Sequence, residues 1–404
     1  MRIAAFRYGR TSIVPFIALT ALAAGCAVGP DYRRPGPVKD APLPAQFGSS
    51  EYGEWKRAEP SASLSRGEWW MIYGDPGLDA LEEMAAGGNT DLAVAAASLE
   101  QARAVAIVAR LAVLPQVNGT GSAGRSRSSG TYSSGSSAPH SRTANSFVAE
   151  AQASWELDIW GRVRRLREQG LASLAASEDD MESVRLLVQS EVAINYFALR
   201  SLDARSGLLS QTVDAYAKAL ELVGNRMKSG VADELDLAQA TTQLEAAKAS
   251  LAATELQRAQ MRHAIAILCG RPATGFEIPG PVGDLLPEAP AIPSVLPSEL
   301  LERRPDIAAA ERRMASANAA VGVAKGAFFP RISLGASGGY QSSESARLFE
   351  WPSHIWGVGP SLSLPIFTGG QNTANYRSAK AAYEASVARY RASVLGAIAE
   401  VEDE

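Results

Sequence analysis

The sequence predicts an α+β membrane protein, with long antiparallel coiled-coil helices and four membrane-crossing β-strands laid out twice in one chain. Three observations predict it: an internal repeat, two-faced strands, and helical runs far longer than a globular domain uses. Ala102–Gly124 and Ala317–Gly339 carry one design 215 residues apart. In each, an Ala-rich helical run ends in two apolar residues, a Pro and an alternating Gly/Ser strand, the mark of a duplication. Trp155–Trp160 aligns with Leu362–Phe367, each closing a strand and each followed by Gly and a further helical pattern. The repeat unit is helix, strand, loop, strand, helix.

Residues 1–25 read as a leader. Arg2, Arg7 and Arg10 precede an apolar run from Ile13 to Ala24 that is too short to span a bilayer and ends in small residues. It stops at Leu22-Ala-Ala-Gly-Cys26, which resembles a bacterial lipobox with Cys26 as the acylated first residue of the mature chain. Ala27 follows rather than Asp, and by that resemblance the address is the outer membrane. Residues 26–75 carry scattered Pro and Gly with little periodicity and read as an extended tether.

The first repeat covers 76–269. Asp75-Pro76 opens a short helix with Pro at its first position, and Asn89 starts a longer run to Leu114. Strands are expected at about 111–124 and 146–160. From Phe147 to Ile159 every odd position is apolar, while Glu150, Gln152, Ser154, Glu156 and Asp158 are polar. The second repeat, 305–404, repeats the pattern at about 329–341 and 355–367. Ile332, Leu334, Ala336 and Tyr340 oppose Arg331, Ser333 and Ser337, and Trp356, Val358, Leu362, Leu364 and Ile366 oppose small residues. Each segment has the roughly 9–11 residues a tilted membrane strand needs. Trp155, Trp160, Tyr340, Trp356 and Phe367 lie near strand ends like an aromatic girdle. Half-buried strands of a soluble sandwich would alternate in the same way, and the leader is what favours the membrane. After residue 26 no apolar run is expected to reach the 18 residues of a spanning helix, so any crossing must be by strands.

The helices follow coiled-coil spacing. Leu209, Val213, Tyr216, Leu220, Val223 and Met227 recur in steps of four and three, and Leu237, Leu244 and Leu251 recur every seven. Arg162 to about Asn225 would be about 95 Å long as one helix, with Gly170 and Gly207 as places to kink. Reversal is expected at Lys228–Asp233, where Gly230 suits a C-terminal cap and Asp233 a helix start. Arg125–Asn145 holds eight Ser and reads as a loop between the first two strands, with Ser342–His354 as its shorter counterpart. Residues 270–304 read as a Pro-rich connector whose prolines run from Pro272 to Pro297, after which Ser298 and Pro305 are expected to begin the next helices.

Composition excludes several functions. Net charge is −4 with acids and bases mixed along the helices, so no basic patch exists to bind nucleic acid. With only Cys26 and Cys269, the former expected to carry lipid, no internal disulfide is available, and Cys269 reads as a buried helix-end thiol. Gly119-Thr-Gly-Ser-Ala-Gly124 matches a dinucleotide fingerprint but leads into a Ser-rich loop instead of a helix. Gly335-Ala-Ser-Gly-Gly339 matches a nucleophile elbow but continues a strand. His140, His263 and His354 are scattered, and His263 and Cys269 fall on different sides of a helix, so no metal site is predicted. Glu156 and Asp158 sit two apart on the polar face, where water is their expected partner. No cofactor and no enzyme activity are expected.

These residues resemble the outer-membrane factor, or TolC-like, family, and within it the lipoprotein branch that serves RND efflux systems. The resemblance is carried by Val28-Gly-Pro-Asp-Tyr32, Trp69-Trp70 with Tyr73-Gly-Asp-Pro76, and Trp155 to Arg162. Leu300 to Ile307, Ala327 to Ser333 and Pro365 to Gly370 extend it along nearly the whole chain. Four strands cannot close a barrel, whose smallest membrane form has about eight, so partner copies must supply the rest. Two copies would enclose only a narrow, side-chain-filled interior. The resemblance implies a homotrimer with one 12-stranded barrel continued by a periplasmic tube of paired helices. It further implies a passive exit duct for drugs or other small toxic compounds, driven by an inner-membrane RND transporter through a periplasmic adaptor protein. Adaptor docking carries over to the first hairpin tip, at Arg226, Gly230, Asp233 and Asp236. A type I secretion channel has the same fold, and a non-transporting scaffold lipoprotein would explain Cys26 and the heptads but not the strands. By symmetry with the first repeat, a second tip and a returning helix are expected beyond Glu404.

Overall fold

The computed structural model describes residues 27–36, 67–129, 143–278 and 303–403. The leader, Cys26, most of the tether, the centre of the Ser-rich loop and most of the Pro-rich connector lie outside the described residues. Six α-helices and four strands are described: α1 (Pro76–Gly88), α2 (Thr90–Leu111), β1 (Gln116–Arg127), β2 (Thr143–Leu157), α3 (Arg162–Lys228), α4 (Glu234–Leu268), α5 (Pro305–Gly326), β3 (Arg331–Ser342), β4 (His354–Ser363) and α6 (Gln371–Asp403). Contacts divide the chain into two compact units. One holds residues 1–41, 101–176 and 310–395, and the other 42–100, 177–309 and 396–404, so each draws on both repeats.

The four strands of the first unit form an antiparallel meander, ordered β1-β2-β3-β4. Each boundary that departs from expectation has a local cause. β1 begins at Gln116 rather than near 111 because α2 runs on to Leu111 and Pro115, which lacks a backbone N–H, precedes the first ladder residue. β2 stops at Leu157, short of Trp160, because Asp158 turns away to cap α3, its carboxylate accepting from Val163 N at 3.0 Å and Arg164 N at 2.9 Å. β4 ends at Ser363, before Pro365, which leaves Leu364, Ile366 and Phe367 beyond the strand. Glu156 grips Arg162 through two bonds, at 2.9 and 2.6 Å. The expectation that Glu156 and Asp158 merely face water is thus corrected.

Residues 27–36 form a strap on this unit. Val28 N donates to Trp160 O at 2.8 Å, and Asn318 Nδ2 donates to Pro30 O at 3.0 Å. Arg165 donates to Asp31 at 2.6 Å and holds that carboxyl below the usual carboxylate range. Tyr32 Oη donates to Glu311 at 3.2 Å, and Arg34 Nε to the hydroxyl of the buried Tyr390 at 3.0 Å.

In the second unit α1 and parts of α3 and α4 enclose an apolar core that includes Leu78, Leu81, Val192, Tyr196 and Ile265, with Trp70 at its margin. Asp75 organises its edge. One carboxylate oxygen caps α1 from Gly77 N (2.8 Å) and Leu78 N (3.3 Å), and the other accepts the Tyr196 hydroxyl at 2.7 Å. Asn89 starts α2 as expected, Oδ1 accepting from Asp91 N and Leu92 N, while Nδ2 donates to Leu268 O. Cys269 is the expected buried thiol at the end of α4. Beside it Glu82, 2% exposed, accepts no hydrogen bond at either carboxylate oxygen. Burial, then the neighbouring Asp79, pushes the Glu82 carboxyl up to about 8, and burial with Glu82 pushes the Cys269 thiol up to about 11.

One expectation about the helices is overturned. An 18-residue stretch of the 22-residue α2 has a mean hydropathy of 1.5, long and apolar enough by composition alone to cross a membrane. Its eight Ala raise the mean without forming a run of large apolar side chains, so the run escapes the eye.

Candidate functional site

The register of the sheet places most apolar residues of the strands on one side, with Val148 and Ile355 as exceptions. Ala153 faces Val117 on β1 and Ala336 on β3, and Ala336 faces Val358 on β4. One row nearer the helices, Trp155 aligns with Leu334 and Pro360, and Leu157 with Ile332 and Leu362. Since partners across a ladder point to one face, these rows make a continuous apolar surface. The intervening rows, Asn118–Gln152–Ser337 and Thr120–Glu150–Gly339, make the opposite, polar face. Gln152 Nε2 donates to Glu150 at 3.2 Å there. A concavity of about 380 Å³ opens on the sheet, lined among others by Asn118, Gln152, Ser154 and Ser337. β2 and β3 approach so closely that a Cβ at Gly339 would overlap the Ala149 carbonyl oxygen.

Among the described residues, nothing pairs with the outer edge of β1 or β4, and the two edge strands are open on both faces. Every residue of β1 is exposed, and of β4 all but Ile355. Among the described residues β1 and β4 each have a single neighbour, which leaves one side of each ladder without a described partner.

The five predicted girdle residues divide by position. Trp155, Tyr340 and Trp356 lie in strands and belong to apolar rows. Trp160 lies past β2, where its ring packs on Phe329 at 5.2 Å and its Nε1 donates to Pro330 O at 2.8 Å. Phe367 lies past β4 and is exposed. Tyr340 makes edge contacts with Phe349 and His354, both 5.7 Å between centroids.

In the second unit the α3–α4 hairpin folds about residue 230. Arg258 Nη2 meets Asp203 at 2.6 Å and Ser206 hydrogen-bonds Glu255, pairs that both centre between Gly230 and Val231. Leu209, Val213, Leu220, Val223 and Met227 are half-buried along the seam, Leu244 is buried, and Tyr216 is 37% exposed. α3 runs 67 residues without a break at Gly170 or Gly207. At the turn Val231 N donates to Arg226 O and Gly230 N to Met227 O, the paired bonds of a Schellman cap, with Gly230 at φ 72° as that cap requires. Asp233 and Asp236 form a capping box, Asp233 Oδ1 accepting from Asp236 N at 2.9 Å and Asp236 Oδ2 from Asp233 N at 3.3 Å. The four predicted tip residues are therefore together, and all are exposed. Among the described residues no group of three His, Cys, Asp or Glu side chains could hold a metal.

An amphipathic four-stranded sheet in one unit and a long coiled hairpin in the other accord with what the chain is similar to. Residues 81–271 and 296–404 match the family model described as outer membrane efflux protein. The chain belongs to that family. It is 34% identical over 391 residues to outer membrane protein OprJ of Pseudomonas aeruginosa, covering 95% of this chain and 78% of that one. The solvent efflux pump outer membrane protein SrpC of Pseudomonas putida is 33% identical over 396 residues, with 96% and 81% covered. Among solved structures, the outer-membrane channel OprN superposes with a TM-score of 0.82 at 31% identity, over 94% of this chain and 82% of that one. The protein is thus an outer-membrane channel component of efflux, in a family of ducts rather than enzymes. Membership was legible in the signature segments, but the strap's partners were not. Tyr32 and Glu311 lie 279 positions apart, with no local signal linking them.

Proposed function

We propose that three copies of this chain close edge to edge, β4 of each against β1 of the next, into a 12-stranded barrel that carries drugs or other small toxic compounds out of the cell. The open-edged four-stranded sheet carries this reading. Unpaired backbone groups cost several kcal/mol each in hydrocarbon, so neither edge is tolerated in a membrane without a partner strand. With the apolar rows outward, the polar rows of Asn118, Thr120, Glu150 and Gln152 line a water-filled interior. Cys26 supplies the lipid anchor, and Trp155, Trp160, Tyr340, Trp356 and Phe367 supply the interfacial girdle.

Transport then involves no chemistry in this chain. An inner-membrane RND transporter supplies the energy, and a periplasmic adaptor links it to the hairpin tip at Arg226, Gly230, Asp233 and Asp236. Those residues also build the caps, so the tip holds a defined shape for a partner to read.

The test is gene deletion with two readouts, accumulation of a panel of dyes, detergents, antibiotics and metal ions, and the polypeptides in the medium. Raised accumulation restored by the gene supports efflux, whereas loss of a secreted polypeptide alone assigns the duct to type I secretion. In the complemented strain, Gly230→Pro or Asp236→Arg should abolish transport while leaving trimers intact. Normal efflux in either would remove the tip from docking.

A further inference from the structure

The polar face of the sheet is poor in charge. Among the described residues its strands place three ionisable side chains there, Arg331, Glu156 and Glu150, and fill the remaining positions mostly with Ser, Gly, Asn, Gln and Thr. Arg331 stands at the first residue of β3, opposite Ser363, at the end of the sheet where the helices join it. Glu156 is held by Arg162 through two bonds, at 2.9 and 2.6 Å, so that pair carries no net charge.

Glu150 stands apart from both. Its row is Thr120, Glu150, Gly339 and Ile355, with no second charge in it. The carboxylate accepts from Gln152 Nε2 at 3.2 Å, and an amide steadies a charge without cancelling it. Gly339, beside it on β3, brings no side chain to shield it. Arg331 is eight residues further along β3, or about 27 Å at roughly 3.4 Å per residue, too far to neutralise it. Glu150 is therefore the one unneutralised charge on the described middle and outer parts of this face.

We propose that Glu150, repeated three times around the closed barrel, sets the charge preference of this part of the duct, favouring the passage of cations over anions. The assignment rests on the trimeric barrel proposed above, which turns the polar rows inward. A 12-stranded barrel with strands about 4.8 Å apart and tilted about 40° has a radius of about 12 Å. The field of an exposed charge reaches about 30 Å at 0.01 M salt, about 10 Å at 0.1 M and about 3 Å at 1 M. Three carboxylates on that wall thus bias ions over most of the cross-section at about 0.1 M and below, and only beside the wall near 1 M. Rings of carboxylates select cations in this way, and the low-dielectric wall behind them strengthens the field. Of two delivered compounds equal in size, the cationic one therefore meets the lower barrier.

The test uses full-length trimers in planar bilayers with potassium chloride as the probe, the permeability ratio of potassium to chloride being read from reversal potentials. At about 0.1 M salt Glu150→Gln should lower that ratio roughly threefold or more. Glu150→Lys should lower it further, toward anions, and Glu150→Asp should keep the wild-type value. The difference should fade near 1 M salt, which a distorted barrel would not do. An unchanged ratio in Glu150→Gln and Glu150→Lys would overturn the role, as would a change equally large at high salt. Glu150→Gln decides alone if the lysine variant does not assemble. A wild-type chain that forms no conducting trimer sinks the barrel and this role together, whereas conducting trimers whose ratio ignores residue 150 sink the role alone.

Discussion

Replacing Glu82 by Leu should remove a pH dependence of stability that the wild type carries. Glu82 is 2% exposed, hydrogen-bonded to nothing, and faces Asp79 on its own helix and Cys269 across the core. Its carboxyl is pushed from 4.5 to about 8, so across that window the native state holds a proton that the unfolded chain has released. Stability must therefore fall as pH rises from 4.5 to about 8 and level off above it. At 1.36 kcal/mol per unit, the loss is on the order of 5 kcal/mol. A chain this long has an unfolding entropy near 0.85 kcal/mol/K, so the loss corresponds to about 6 °C in Tm. Scanning calorimetry of detergent-solubilised wild type and Glu82→Leu at pH 5 and pH 9 gives the comparison. Groups shared by the two proteins cancel in the difference, and Cys269 titrates above most of the window, at about 11. The variant should gain on the wild type by several degrees between the two pH values. Parallel curves would refute the claim that Glu82 is buried neutral.

Gly339→Val should prevent the sheet from forming, because the added side chain overlaps the Ala149 carbonyl and meets Glu150 Cα at 2.6 Å; heat-resistant trimers on a gel should vanish, and normal trimers would mean that the strands can separate at that point without penalty. Asp75→Ala should destabilise the second unit by about 2–4 kcal/mol, combining a lost cap with a Tyr196 hydroxyl that has lost the carboxylate accepting from it. Adding Tyr196→Phe should recover part of that loss in chemical unfolding, and strict additivity of the two changes would argue against their coupling.

What was legible in the sequence was what short-range chemistry decides. Asp75-Pro76, Asn89, Gly230 and Asp233 each announce a helix end through a side chain or a backbone conformation that acts within three residues, and each stands where it was expected. Alternation along β2 set its two faces for the same reason. The strand ends were misjudged where a residue served a neighbouring element, as Asp158 does by capping α3 while continuing the polar alternation of β2. Glu82 gave no sign at all. Its neighbourhood exists only once α1, α3 and α4 have met, and in the sequence it is one acid among several on a short helix. The same holds at Gly339, whose role comes from the carbonyl of a strand nearly 190 positions earlier.

The strap has a consequence for the order of assembly. Its residues are 27–36, yet Trp160, Asn318, Glu311 and Tyr390, which hold them, come as much as 356 positions later. Closing loops of that size is entropically slow, and the nearer partners, Trp160 and Arg165, hold only Val28 and Asp31. A chain delivered N-terminus first can therefore seat Val28 and Asp31 once α3 has begun, but not Tyr32 and Arg34 until α5 and α6 have crossed. The strap's full docking then reports completion, since all of it can seat only on a surface assembled from α3, α5 and α6 together.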